Sequence, residues 1–172
     1  MEDLHFALMM AGGSSIEHLT FAGKSDDERL SVTSIAPHSM VVVDGDVATK
    51  AELCSRLAAE LGDRFQMLSV PSVENLLPAD IIWDVVCSFE DKPSSAPPFT
   101  ADDCATSKLS ELIHKTLESQ GSREGKIKHL RHRNKVAFAE RAVARLKTYE
   151  QLTQPAKDLV DKMVSFISKA NP

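Results

Sequence analysis

A chain of 172 residues, 42% hydrophobic and 26% charged, is long and apolar enough for one domain with a real core, or for one domain plus a helical appendage. Its net charge of -5 argues against a wholesale nucleic-acid coat, no apolar run approaches membrane-spanning length, and the opening MEDLHFALMM lacks the basic stretch and long apolar core of a secretion signal. Cys54, Cys87 and Cys104 lie far apart with no CxxC pair, which excludes a zinc knuckle, argues against a disulfide framework and points to a reducing cytoplasm.

Residues 4–11 form an apolar run closed by Gly12 and Gly13 and then by Ser14 and Ser15, the pattern of a strand, a tight turn and the cap of a short helix reaching Phe21. After a polar loop over 23–28 and a stretch without clear period, HSMVVVDGD at 38–46 is the strongest signal in the chain. Its unbroken run Met40-Val41-Val42-Val43 predicts a buried strand of a parallel sheet. The run leads straight into Asp44 and Asp46, separated by Gly45, which lets the backbone turn sharply. Ligands of open parallel sheets bind beyond the carboxyl ends of the strands, and two hard oxygen donors at this spacing suit Mg²⁺ or Mn²⁺. Asp-Gly is also the commonest turn signal, so a solvated turn accounts for the motif equally well.

Thr49-Lys50-Ala51-Glu52 fits a capping box, and Leu53, Leu57 and Leu61 recur on one face up to Gly62, which predicts a helix over 49–61. Residues 65–70 read as a second strand ended by Pro71, completing a strand–helix–strand unit with a right-handed crossover. If the strands are parallel neighbours, Glu74 in VENLLP stands level with Asp44 and Asp46. A helix follows over 79–89, with Ile82, Val85, Val86 and Phe89 toward the core. Pro93, Pro97 and Pro98 among serines mark an exposed linker or loop, and beyond it only helical patterns remain. These run over 102–119, over 128–149 with Val136, Ala139, Val143 and Leu146 on one face, and from Pro155 with a stripe of Leu159, Met163, Phe166, Ile167 and Ala170. The expected fold class is therefore α/β: a small parallel Rossmann-like sheet over 1–90, a linker over 91–101, and an all-helical C-terminal region over 102–172 packing on it. Between Arg123 and Lys147 nine lysines and arginines face two glutamates, which makes either a phosphate-binding surface or the solvated face of a helix.

Taken in order, the GG turn, the DGD at the end of VVV, a helix, a strand leading to VENLLP, and a helical tail with KVAFAE and a last helix ending in Asn171 resemble the C-terminal TOPRIM domain of OLD-family ATPase-nucleases. That class is found in phage-defence and retron-linked systems. The resemblance spans roughly residues 4–171 and rests on the order and spacing of short motifs. It implies a TOPRIM-like sheet truncated at its N-terminus and a divalent-metal-dependent endonuclease site that acts on DNA. Asp44 and Asp46 would hold Mg²⁺ or Mn²⁺, and Glu74 would supply a carboxylate at a second position. Two such ions about 4 Å apart activate water and stabilise the leaving oxygen. Lys135, opening KVAFAE, would steady the transition-state charge, and Gly12 and Gly13 would shape the adjoining turn. The implied partners are DNA and an ATPase chain or a second copy, with no membrane.

Two departures stand beside these matches. The chain has no E-G-x-x-D strand ahead of the GG turn and no GxxxxGK[ST] phosphate loop, so no ATP site is expected in it. It reads as the back part of a larger protein, with an incomplete site expected to bind metal weakly or not to cleave at all. Glu74 also suits a helix start, where the dipole favours a carboxylate, and Lys135 also suits a plain helix surface. The competing reading is a non-catalytic interaction module, in which the basic segment or an exposed sheet edge docks a partner ATPase chain. An acyl-phosphate site with Asp44 as nucleophile is weaker, because no lysine ends a later strand.

Overall fold

A computed structural model describes residues 6–9, 15–22, 29–46, 50–121, 127 and 132–171, with backbone only at 132 and 133. Among them the fold is mixed α/β, the class the sequence predicts, with two parallel strand pairs and six α-helices. The chain divides into two compact units, Met1–Val43 with Val47–Met67 and Leu159–Pro172, and Asp44–Asp46 with Leu68–Asp158.

In the first unit β1 (Leu19–Thr20) pairs with β2 (Leu30–Ser31), and β3 (Val41–Val43) pairs with β4 (Phe65–Met67), both in parallel. Parallel neighbours need a crossover, and α1 (Ala51–Leu61) supplies it between β3 and β4. Its buried Leu57 and Leu61 are one turn apart and pack with Phe21, Leu53, Val41 and Phe65, so the leucine period read from the sequence is the face that α1 buries. Polar contacts fix α1 against β1: Glu60 Oε2 accepts the Phe21 N–H at 2.6 Å, and Arg56 Nη1 donates to Leu19 O at 2.8 Å. Gly62 ends the helix at φ 56°, a conformation that costs glycine little. Lys50 precedes the helix without a side-chain cap, and Thr49 of the expected capping box lies outside the described residues.

Three local expectations change in this unit. Residues 7–9 form no strand, Phe6 makes only an isolated bridge, and Leu8 and Met9 are 64% and 80% exposed. An apolar run becomes a strand only beside a ladder partner, and residues 7–9 have none among the described residues. The short helix expected up to Phe21 is a 3₁₀ turn over Ser15–His18 that gives way to β1. β3 is not buried throughout: among the described residues one neighbour, β4, flanks it, and Val42 is 38% exposed.

The second unit is helical and holds the larger core. In α2 (Ala79–Phe89) the side chains of Ile82, Val85 and Val86 are fully buried. The helix expected over 102–119 is two helices, α3 (Ala101–Thr106) and α4 (Leu109–Ser119), broken at Ser107-Lys108. Thr100 and Asp103 cap the first of these reciprocally, Asp103 N–H donating to Thr100 Oγ1 at 3.1 Å and Thr100 N–H to Asp103 Oδ2 at 2.8 Å. The Pro/Ser stretch before α3 is tethered to α2: Trp83 Nε1 donates to Ser95 Oγ at 2.9 Å, and the Trp83 ring meets Phe99 edge to face at 5.8 Å.

On α5 (His132–Arg145) the buried face differs from the expected one. Phe138 and Ala142 are buried, whereas Val136 and Val143 are 66% and 68% exposed. The aromatic ring removes far more apolar area from water than either valine does, so the helix turns Phe138 inward. Its basic residues secure that rotation: Arg141 lies 3.8 Å above the Phe89 ring and donates to Ser88 O at 3.0 Å, and Arg145 pairs with Asp84. The last helix, α6 (Gln154–Ala170), carries proline at its second position, where a missing N–H costs nothing. Among the described residues no helix is long and apolar enough to cross a membrane.

Candidate functional site

Asp44 follows β3 directly, and parallel pairing sends the segments after β3 and β4 off in the same direction. Two backbone bonds then tie those segments together: Gly45 N–H donates to Val70 O and Asp46 N–H to Pro71 O, each at 3.1 Å. A Cβ on Gly45 would stand 2.3 Å from Val70 O and 2.7 Å from Leu68 O. Gly45 is therefore required by close backbone approach, and not by a left-handed turn, since its φ is not positive. Gly12 and Gly13, the other glycines expected to shape the site, lie outside the described residues.

A 3₁₀ turn over Val73–Leu76 delivers Glu74 to the same place. Ser72 and Asn75 hold that turn, Ser72 Oγ donating to Asn75 Oδ1 at 2.7 Å. Asn75 is buried and its Nδ2 donates to Cys104 O at 2.6 Å and to Ser107 O at 2.9 Å, which fixes the turn beside the start of α4. Asp44 Oδ1 accepts the Val73 N–H at 3.0 Å. From α5, Lys135 Nζ reaches Glu74 Oε1 at 2.8 Å.

The electrostatics show that these groups sense one another. Burial, and then the charges of Glu74 and Asp46, raise the Asp44 pKa above its ordinary value, against the opposing Val73 N–H and Lys135. Burial also pushes the Glu74 carboxyl up, but the Lys135 hydrogen bond and charge, with its own backbone N–H and Ser72, outweigh it and hold the pKa below the ordinary value. Glu74 Oε2 is buried without a hydrogen-bond partner. A small cleft of about 120 Å³ opens here, lined by Asp46, Ser72, Glu74, Lys108, Ser110 and Lys135.

All four candidate residues of the acidic motifs and KVAFAE, Asp44, Asp46, Glu74 and Lys135, thus meet around one place. Lys108, Ser110 and the buried Asn75 were not legible as parts of it. The S-x-x-N spacing of Ser72 and Asn75 is a capping pattern and was available as a signal; Lys108 carries none. Of the basic segment, Arg141 and Arg145 are turned onto α2, so they do not add to a phosphate-binding surface.

The donor chemistry suits a hard cation. Among the described residues no three His, Cys, Asp or Glu side chains stand close enough to enclose an ion. Asp44, Asp46 and Glu74 nonetheless supply carboxylate oxygens, the donor type that Mg²⁺ prefers. Thiols are not part of it: Cys87 and Cys104 are core residues, and burial with the nearby Asp103 charge raises Cys104 to about 11. No protein-family model matches the chain, and no curated protein or solved structure is significantly similar to it.

Proposed function

We propose that the chain carries a TOPRIM-like, divalent-metal-dependent nuclease site of the OLD type, acting on a phosphodiester of DNA. Asp44, Asp46 and Glu74 would hold the metal, and Lys135 would act beside them. The observation that supports this reading is the convergence of three carboxylates and one ammonium from the two turns and α5, with Lys135 Nζ 2.8 Å from Glu74 Oε1. Gathering like charges in a half-buried place is unfavourable, as the raised Asp44 shows, and such costs concentrate where chemistry is done.

Each residue has a task in this scheme. Asp44 Oδ1 is held by the Val73 N–H, which orients the carboxylate and leaves its second oxygen for a ligand. Gly45 keeps both aspartates against residues 68–71. Lys135 would place a positive charge where negative charge grows as the phosphodiester is attacked. When bound, Mg²⁺ or Mn²⁺ would supply Lewis acidity and an activated water.

Calorimetric titration with Mn²⁺ and a plasmid-nicking assay test the reading on wild type, Asp44→Ala and Glu74→Gln. Saturable Mn²⁺ binding and nicking that both variants lose are the expected results. Mn²⁺ binding that is absent from wild type, or unchanged by Asp44→Ala, overturns it.

A second reading, an interaction module that docks an ATPase chain, draws support from Val136 and Val143, which lie exposed two turns apart on α5. It requires indifference to Mn²⁺ and association with the ATPase.

A further inference from the structure

The cleft beside the carboxylates has a second wall, built by the break between α3 and α4. Lys108 precedes α4 and is exposed, and among the described residues its ammonium has no hydrogen bond or ion pair. Ser110 follows in the first turn, half-buried, with no hydroxyl partner among the described residues. Glu111 and Leu112 make the first backbone bonds of the helix, both to Lys108 O at 3.0 Å. The Lys108 side chain offers no cap.

Charge decides what this wall can take. The lining carries Asp46 and Glu74 against Lys108 and Lys135, and Lys135 is committed to Glu74. Among the described residues of the lining, Lys108 is thus the cation not committed to a carboxylate. A hard cation on the carboxylates would leave the cleft net positive.

We propose that Lys108 and Ser110, with Lys135 opposite, form a phosphate seat that takes one backbone phosphate of the substrate beside the carboxylates. The inference rests on the nuclease reading for its substrate, but the seat itself is a binding property that can be measured without turnover. Lys108 donates charge-assisted hydrogen bonds to the phosphate oxygens, and the Ser110 hydroxyl adds a neutral one. Cation and phosphate then support one another, and by reciprocity each raises the affinity of the other by the same factor.

The test follows the backbone amide signals of Leu109 and Ser110 in the isotopically labelled full chain during titration with inorganic phosphate, with and without Mg²⁺. Saturable shifts of both amides are expected, with binding tightened by Mg²⁺ and weakened about tenfold in Lys108→Gln. The Lys108 side chain is exposed, so that variant keeps the fold. Asp44→Asn should bind phosphate without metal at least as well as wild type but lose the Mg²⁺ enhancement. Absence of a saturable shift, or equal affinity in Lys108→Gln, overturns the seat. Should phosphate bind through Lys108 while Mn²⁺ neither binds nor supports nicking, the nuclease reading falls and the seat stands. Should Mn²⁺ bind and DNA be nicked while Lys108→Gln binds phosphate normally, only the seat falls.

Discussion

Lys135 Nζ stands 2.8 Å from Glu74 Oε1, an ion pair that ties α5 to the turn after β4. The two partners are unequal: the lysine is half exposed, whereas the glutamate keeps little surface and one of its oxygens is buried without a partner. The pair is therefore better described as a counter-charge supplied to a carboxylate that packing has already removed from water.

Lys135→Met should destabilise the protein by about 1 kcal/mol at neutral pH, the lower end of the cost of stranding a buried charge, because solvent screens the exposed lysine. The folded-state pKa of Glu74 lies below its ordinary 4.5, so the contribution of the pair is fully present above that value and is lost as pH falls through the depressed one. Urea midpoints of wild type and variant should therefore separate at pH 7 and converge in acid. A deficit as large at pH 3 as at pH 7 contradicts this account.

Asp44 has the opposite sign. Its folded pKa is raised above 3.8, so keeping it ionised costs stability, and the cost grows as pH rises from its ordinary value through the folded one. Asp44→Asn removes the charge but keeps an oxygen to accept the Val73 N–H. The variant should melt at a higher temperature than wild type at pH 7, with no advantage near pH 3. Added Mg²⁺ should raise the melting temperature of wild type alone, since only a ligand bound by the native state stabilises it. A variant less stable than wild type at pH 7 argues that the carboxylate is held for structure.

Gly45→Ala places a methyl group 2.3 Å from Val70 O. The two segments must separate, at a cost of about 1–3 kcal/mol. Asp44 and Asp46 should lose their placement with it, so Mn²⁺ binding should weaken even under conditions where the variant remains folded by circular dichroism. Undiminished Mn²⁺ affinity in a folded Gly45→Ala protein shows that the approach to Val70 does not position the carboxylates.

Where one pattern has one structural solution, the sequence was enough. The leucines of α1 bury the face their spacing marks, α2 forms over the residues read for it, and VVV pairs in parallel with the strand after α1. The period of an apolar face is a local property, and a parallel pair must have a crossover. Where two faces competed, spacing was not sufficient. Val136 and Val143 share the helical period with Phe138 and Ala142 on α5, and which pair turned inward depended on the rings and acids waiting on α2.

The acidic motifs could be read from the chain because a run of valines that ends in two carboxylates is unusual wherever it lies. Their meeting could not. It required the pairing of β3 with β4, the 2.3 Å clearance at Gly45, the buried Asn75 that fixes the turn of Glu74, and a helix far along the chain to bring in Lys135. Composition and period determine which groups a protein owns and which faces it buries. Only packing between distant segments decides which charges share a small volume, because that depends on distances through space that no local pattern encodes.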